Sequence, residues 1–250
     1  MASRAPQDIF LSIVFPAFNE ADRLPGTLRR TIAYLRQQDY TWEIIVVDDG
    51  SADSTAADAK TILEQEHVPG CVISLPTNQG KGVAVKQGLQ AARGQILFFS
   101  DADLSTPIEE LETMLPFFEQ GWDIVIGSRG MKESMVEVRQ AWWRKYSGKL
   151  FNVFVQLFVL RGIKDTQCGF KGFSRDVLPG LLERQKLIGF SFDVELLWLA
   201  KRLGYRIKEV PVHWCNDAAS KVSFFEDGFS MCRDILTIQR MHKDLKARGK

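Results

Sequence analysis

Three clusters of polar residues stand directly after apolar runs, and their side-chain types suit phosphate and metal chemistry. Asp101-Ala102-Asp103 follows Ile96–Phe99, Asp48-Asp49-Gly50-Ser51-Ala52-Asp53 follows Ile44–Val47, and Asn19-Glu20 follows Phe10–Phe15 through Pro16-Ala17-Phe18. Hard oxygen donors two residues apart, where a chain turns, can hold Mg²⁺ or Mn²⁺ and leave positions open for phosphates. Such an ion stabilises a departing diphosphate as a Lewis acid. Helix N-capping accounts for one such cluster; three together point to a shared site. Asn78-Gln79-Gly80-Lys81-Gly82 adds a Gly-rich turn before a helix, where backbone N–H groups and Lys81 favour an anion. Its spacing matches neither a P-loop nor Gly-x-Gly-x-x-Gly, which argues against dinucleotide binding.

The elements that must position these groups follow from the apolar pattern. Short, largely unalternated runs at Phe10–Phe15, Ile44–Val47, Val72–Leu75, Ile96–Phe99, Ile124–Ile126 and Ile207–Val210 read as strands covered on both faces. Amphipathic stretches at Leu24–Arg36, Thr55–Glu66 and Val83–Ala92 separate the first four. Pro107 suits the first turn of another helix, running to Gln120. This βα alternation predicts an α/β fold with a mostly parallel, doubly wound sheet flanked by helices. Ligands of such sheets collect beyond the carboxyl ends of the strands, where the polar clusters lie. After residue 129 the pattern changes. An aromatic, basic segment precedes a Gly-rich strand-like piece, Cys168–Phe173, and helices follow at Asp193–Leu203 and Phe225–Lys246. With no linker or repeat, 1–250 reads as one domain, with an 8–128 half for a nucleotide and metal and a 129–250 half for an acceptor.

Composition narrows the classes. The 250 residues are 45% hydrophobic and 25% charged, enough for a large core and unlike a disordered or fibrous chain. Cys71, Cys168, Cys215 and Cys232 form no Cys-x-x-Cys pair, and His67, His213 and His242 no metal-ligand spacing. A disulfide scaffold and a zinc site are thereby disfavoured, and the thiols read as reduced and intracellular. The net charge of +1 hides an asymmetry: residues 1–128 carry 9 Lys/Arg against 18 Asp/Glu, and 129–250 carry 23 against 13. The basic half suits a phosphate-rich surface. The start has no signal-peptide core. The most apolar run, Leu150–Leu160, reaches only about 16 Å as a helix, roughly half a bilayer core.

Taken together, Ile13–Glu20, Val46-Val47-Asp48-Asp49-Gly50-Ser51, Asn78-x-Gly80-Lys81-Gly82 and Asp101-Ala102-Asp103-Leu104 resemble family-two inverting glycosyltransferases, which have a GT-A fold and use nucleotide sugars. Gly127-Ser128-Arg129, Asp165-Thr166-Gln167-Cys168-Gly169-Phe170-Lys171 and Ser220-Lys221-Val222 are similar to the polyprenyl-phosphate branch, the dolichyl-phosphate glucosyltransferases and mannose synthases. The Asp165–Lys171 stretch resembles the glucosyl members more. The resemblance implies that Pro16, Ala17, Asn19, Glu20, Asp48, Asp49 and Lys81 line the nucleotide pocket, with Asp49 reaching base or ribose. It implies that Asp101 and Asp103 hold Mg²⁺ or Mn²⁺ with the diphosphate, and that Arg129 faces the reacting phosphates. Ser105 stands where a longer glutamine often joins the metal.

The expected reaction is transfer of glucose from UDP-glucose to a polyprenyl phosphate. A lipid phosphate is mostly deprotonated near neutrality, with a second pKa of about 6, and attacks without a strong base. A sugar hydroxyl acceptor would require a positioned carboxylate. Asp165 is the candidate for that base or for orienting the acceptor, or else a turn-capping residue; Asp193 and Glu195 are further carboxylates. Transfer of mannose from GDP-mannose, or to a sugar hydroxyl, are the alternatives. Arg139 to Lys149 carries four cations among Trp142, Trp143 and Tyr146, and runs into the apolar Leu150–Leu160. That predicts an interfacial amphipathic helix over 139–160 facing a membrane, not nucleic acid. By resemblance Arg139, Arg144, Ser147 and Lys221 bind the acceptor phosphate. The expectation is a peripheral enzyme at the cytoplasmic face of a membrane, or one working beside a membrane-protein partner.

Overall fold

Alternation within the N-terminal strands decides which helix packs where. In the computed structural model, which describes residues 8–137, 160, 162–215 and 224–245, β1 (Leu11–Ala17), β2 (Trp42–Asp48), β3 (Gly70–Ser74) and β4 (Ile96–Ser100) run parallel. Leu11, Ile13 and Phe15 of β1 point to a layer with Leu24, Leu28 and Ile32 of α1 (Leu24–Leu35) and with Ala59 and Ile62 of α2 (Thr55–Gln65). Val14, between them, points the other way, to Ala84, Val85 and Leu89 of α3 (Lys81–Ala91). Because successive strand side chains face opposite sides, one sheet serves two cores. Buried on both faces, β1, β2 and β4 read as continuous apolar runs, whereas β3, expected to be covered on both faces, is an edge strand and is exposed or half-buried along its length.

The second half completes the same sheet. Its order is β3-β2-β1-β4-β7-β5-β8, with β5 (Ile124–Ser128), β7 (Phe170–Ser174) and β8 (Ile207–Pro211). β7 lies antiparallel between β4 and β5, while β5 and β8 are parallel. The mostly parallel sheet is thus present, with one antiparallel strand inserted in its middle. Gly172 explains how it fits: a Cβ there would lie 2.4 Å from the ring of Phe98 on β4. β6 (Val136–Glu137) and β9 (Trp214–Cys215) add a two-residue parallel ladder too short to leave a periodic signal.

The helices beyond residue 107 differ in detail from the pattern. Ile108–Glu110 forms a 3₁₀ turn after Pro107, and α4 (Leu111–Glu119) begins only at Leu111. The short α5 (Leu178–Leu182) was not apparent from periodicity, since five residues span little more than one turn. α6 (Phe192–Leu203) carries Asp193 and Glu195 in its first turn and Lys201 and Arg202 in its last, matching the helix dipole. It stops at Gly204, whose φ of 84° places it in the left-handed region and lets its N–H reach Ala200 and Lys201 carbonyls. α7 (Phe224–Met241) packs Ile235 and Ile238 against the same core layer as α6.

Candidate active site

Four chain segments meet beyond the carboxyl ends of β1, β2, β4 and β5. Pro16 and Ala17 complete β1 and are buried, and the loop to α1 follows them directly. Asn19 then takes a φ of 54°, a left-handed conformation that asparagine tolerates. Its N–H donates to Ser51 Oγ at 2.8 Å, and its Oδ1 accepts the Ala52 N–H at 2.9 Å. Glu20 receives a two-point bond from Arg23, both contacts at 2.7 Å, and its N–H donates to Thr55 Oγ1. The loops after β1 and β2 are therefore one knitted rim.

Asp48 and Asp49 each accept backbone N–H groups of the surrounding loops. Asp48 Oδ1 accepts the Ser51 N–H at 3.2 Å. Asp49 is buried and accepts the Gln79 and Gly80 N–H groups at 2.7 and 2.8 Å. Each Asp49 oxygen thus accepts one backbone N–H of the turn that presents Lys81. Gly50, with a φ of 71°, is required there, since a Cβ would lie 2.4 Å from the Thr77 backbone.

Lys81 begins α3 and brings Nζ to 2.5 Å from Asp101 Oδ1. Burial by itself would lower the Lys81 pKa, but Asp101 and then Asp193 outweigh it and raise it. Asp101 is cradled from below: its N–H donates to the Gly169 carbonyl, and a Cβ on Gly169 would lie 1.9 Å from Asp101 Oδ2. Asp103 faces the same space, with Oδ1 accepting the Ser105 N–H at 2.9 Å. Burial, and then the negative charge of Asp101, push the Asp103 carboxyl up from its ordinary value. Directly after Asp103, Leu104 has a φ of 46°, a strained conformation for a branched side chain, and Thr27 Oγ1 on α1 pins the Ala102 carbonyl at 2.5 Å. Ser105 is committed to this turn, and its carbonyl accepts the Cys215 N–H of β9.

Arg129 leaves the end of β5 and is gripped by Asp165. Its Nε and a terminal nitrogen donate to the two carboxylate oxygens at 2.7 and 2.9 Å, and its backbone N–H adds a third bond at 2.9 Å. Burial alone would raise the Asp165 carboxyl, but the guanidinium overrides it and holds it at about 2. Asp165 is therefore a carboxylate that aims Arg129, not a base waiting for a proton. Its Oδ1 also accepts the Gln167 N–H at 3.1 Å, the turn-capping bond that the sequence allowed. Glu209 of β8 fixes the segment by accepting the Lys164 and Asp165 N–H groups. Trp214 lies with its ring centroid 5.4 Å from the guanidinium carbon.

Sequence reasoning quoted Lys171 within a motif but gave it no role. It is 0% exposed on β7, paired with Asp193 at 2.9 Å, and its Nζ donates to the Cys168 carbonyl at 2.5 Å. This buried pair ties α6 to the turn that cradles Asp101. A lysine between Phe170 and Gly172 in a core strand was the available signal. Asp193 and Glu195 are both buried and paired, Asp193 with Lys171 and Glu195 with the Lys186 and Leu187 amides, and burial pushes the Asp193 carboxyl up from its ordinary value. Arg139, Arg144, Ser147 and Lys221 lie outside the described residues, as does the 139–160 helix apart from buried Leu160.

Among the described residues no group of three or more His, Cys, Asp or Glu side chains gathers to hold a metal. Asp101 and Asp103 supply two carboxylates, the complement with which Mg²⁺ is held when phosphate oxygens and water complete the shell. Lys81 against Asp101 shows that this position draws a cation. The donor set fits Mg²⁺ or Mn²⁺.

Known proteins agree with this architecture. The dolichyl-phosphate beta-glucosyltransferase of Drosophila melanogaster is 37% identical over 240 residues, covering 91% of this chain and 74% of that protein. That of Dictyostelium discoideum is 35% identical over 243 residues, with 93% and 74% covered. That of Saccharomyces cerevisiae is 32% identical over 250 residues, with 93% and 75% covered. Among solved structures, glucosyl-3-phosphoglycerate synthase from Mycobacterium tuberculosis, in complex with Mn²⁺, UDP and glucosyl-3-phosphoglycerate, superposes with a TM-score of 0.68 at 22% identity, covering 96% of this chain and 82% of that one. It shares the GT-A fold. Residues 12–182, from the first strand through the Arg129–Asp165 pair to α5, match the model of glycosyl transferase family 2, and the chain belongs to that family.

Proposed function

We propose that this glycosyltransferase moves glucose from UDP-glucose to a dolichyl-type polyprenyl phosphate, with inversion. The names of the curated relatives support the sugar and the acceptor. The observation that carries the acceptor class is the fate of the carboxylates. Asp165 is held by Arg129, Asp193 by Lys171, and Glu195 by the Lys186 and Leu187 amides. The three carboxylates considered as bases for a hydroxyl acceptor are thus each committed to a partner. A phosphate acceptor needs none, being largely ionised above its second pKa of about 6.

Cleavage of the bond from the anomeric carbon to the diphosphate builds positive charge on the sugar and negative charge on the leaving group. Arg129, fixed at three points, meets that negative charge without reorganising, the condition under which a donor is most effective. Lys81 supplies a second cation from the start of α3. Asp101 and Asp103 would hold Mg²⁺ or Mn²⁺, which when bound supplies Lewis-acid charge to the diphosphate. The synthase from M. tuberculosis, of the same fold, has been crystallised with UDP and either Mn²⁺ or Mg²⁺. The lipid phosphate attacks in line from the opposite face of the sugar, which inverts its configuration.

The acceptor end of this proposal draws on the second half: Arg139, Arg144, Ser147 and Lys221 receive the lipid phosphate, and the segment 139–160 lies in the membrane interface. No helix among the described residues is long and apolar enough to cross a membrane. The free thiols of Cys71, Cys168 and Cys215 suit a reducing compartment, which supports work at the cytoplasmic face. The test is transfer of labelled sugar into an organic-extractable product, with polyprenyl phosphate, Mn²⁺ or Mg²⁺, and UDP-glucose or GDP-mannose in parallel. Lipid-linked label from UDP-glucose alone is expected. Label from GDP-mannose alone would make it a mannose synthase, and label in a soluble glycan only would overturn the acceptor.

A further inference from the structure

Glu195 and His242 take no part in the chemistry above, yet they are 0% and 2% exposed and lie 2.6 Å apart. A buried carboxylate persists only where its oxygens are satisfied. Glu195, on the first turn of α6, accepts the Lys186 N–H at 3.0 Å from each oxygen and the Leu187 N–H at 2.8 Å. Since a carboxylate only accepts, His242 Nε2 donates the remaining bond. Lys186 closes the ring from outside, its Nζ donating to the Met241 carbonyl at 2.6 Å. The end of α7 and the loop 185–190 are thus fastened to one carboxylate.

That loop in turn seats the Gly-rich turn of the donor side. The Ile188 carbonyl accepts the Gly82 N–H at 2.7 Å, and Gln185 Nε2 donates to the Gly82 carbonyl at 2.9 Å. A Cβ on Gly80 or Gly82 would lie 2.5 or 2.8 Å from the Ile188 oxygen, so two backbones meet there with no side chain between them. Asp49 grips the same turn from the opposite side through Gln79 and Gly80. Lys81 sits between the two grips and reaches Asp101.

We propose that His242 is a positioning residue for the nucleotide donor: through Glu195 and the loop 185–190 it fixes the Gly80–Gly82 turn, and so couples the C-terminal helix to donor affinity. The inference rests on the reading of Asn78–Gly82 as part of the donor pocket. The experiment compares UDP binding in the presence of Mn²⁺, by calorimetry, for the protein and its His242→Leu and His242→Gln variants. Glutamine keeps a nitrogen donor near the position of Nε2; leucine removes it. His242→Leu is expected to weaken UDP by about five- to tenfold, in the ordinary range of site-to-site coupling. His242→Gln is expected to stay within about twofold of the parent, retaining the donated bond. Hydrogen exchange at the Gly82 and Leu187 amides should quicken in His242→Leu while the amides of β1 and β2 stay protected. Equal affinity in all three proteins, or an equal loss in both variants, overturns the inference. Failure of the parent to bind UDP overturns the donor pocket instead. If His242→Leu does not fold, Lys186→Met removes the neighbouring tie to Met241 from the surface; weakened UDP supports the coupling and unchanged UDP overturns it.

Discussion

Arg129 and Asp165 behave as one unit, and their separation in sequence hides it. Both were legible as candidates because each sits in a recognisable motif, but only folding reveals that one spends the other. Asp165→Asn keeps the shape and loses the charge that aims the guanidinium. It should lower kcat by about a hundredfold, the scale for losing one preorganised donor, with the donor KM little changed. The pair also makes a statement about pH. An unfolded aspartate titrates near 3.9, while folded Asp165 titrates at about 2. Its stabilisation is therefore complete above about pH 4 and lost as the pH falls through about 2, amounting to roughly 2 kcal/mol. Urea midpoints measured from pH 5 to 2 should fall less steeply in Asp165→Asn than in the parent. Asp103→Ala should abolish transfer while leaving the melting temperature within a few degrees of the parent; near-normal turnover would remove Asp103 from the metal site.

At the scale of elements, what could be read was whatever obeys a period. The four N-terminal strands are visible as apolar runs, and α1 to α3 as stripes at helical spacing. β7 is only partly visible: the Gly-rich Cys168–Phe173 piece reads as strand-like, but nothing local says it runs antiparallel between β4 and β5. That placement depends on Gly172 meeting Phe98 and on Lys171 finding Asp193, contacts between residues far apart in the chain. Two alanine substitutions separate the strand's jobs. Gly172→Ala crowds a ring in the core and should cost about 1–3 kcal/mol of stability in denaturant unfolding. Gly169→Ala instead crowds Asp101, where a displacement near 1 Å is enough to cost about a hundredfold in rate, with the fold retained.

Across the whole molecule, charge divides as the proposed function would divide labour. The acidic half presents Asp101, Asp103 and the donor loops, while the basic half carries Arg139, Arg144 and the aromatic segment beside them. The asymmetry was countable from the sequence, but the grip of Asp165 on Arg129 was not, because no periodic pattern fixes a loop against a sheet. Arg144→Ala should raise the KM for polyprenyl phosphate about tenfold, as loss of a charge-assisted hydrogen bond predicts, and leave the KM for UDP-glucose unchanged. The reverse pattern would move Arg144 to the donor. Sedimentation with vesicles containing anionic lipid should also weaken as salt rises, since screening acts on exposed charges.

The insertion of β7 has a consequence for how the chain is made. As the protein leaves the ribosome, β1 to β4 can pair as soon as Ser100 emerges, but the neighbour that covers the free edge of β4 ends only at Ser174. At about 5–20 residues per second, that edge waits several seconds with its N–H and C=O groups unpaired. It is apolar and buried on both faces in the finished protein, the kind of edge that recruits strands from other chains. The nascent enzyme should therefore be most dependent on chaperones in this interval. The Asp101 amide, which waits for the Gly169 carbonyl, would be completed only at its end.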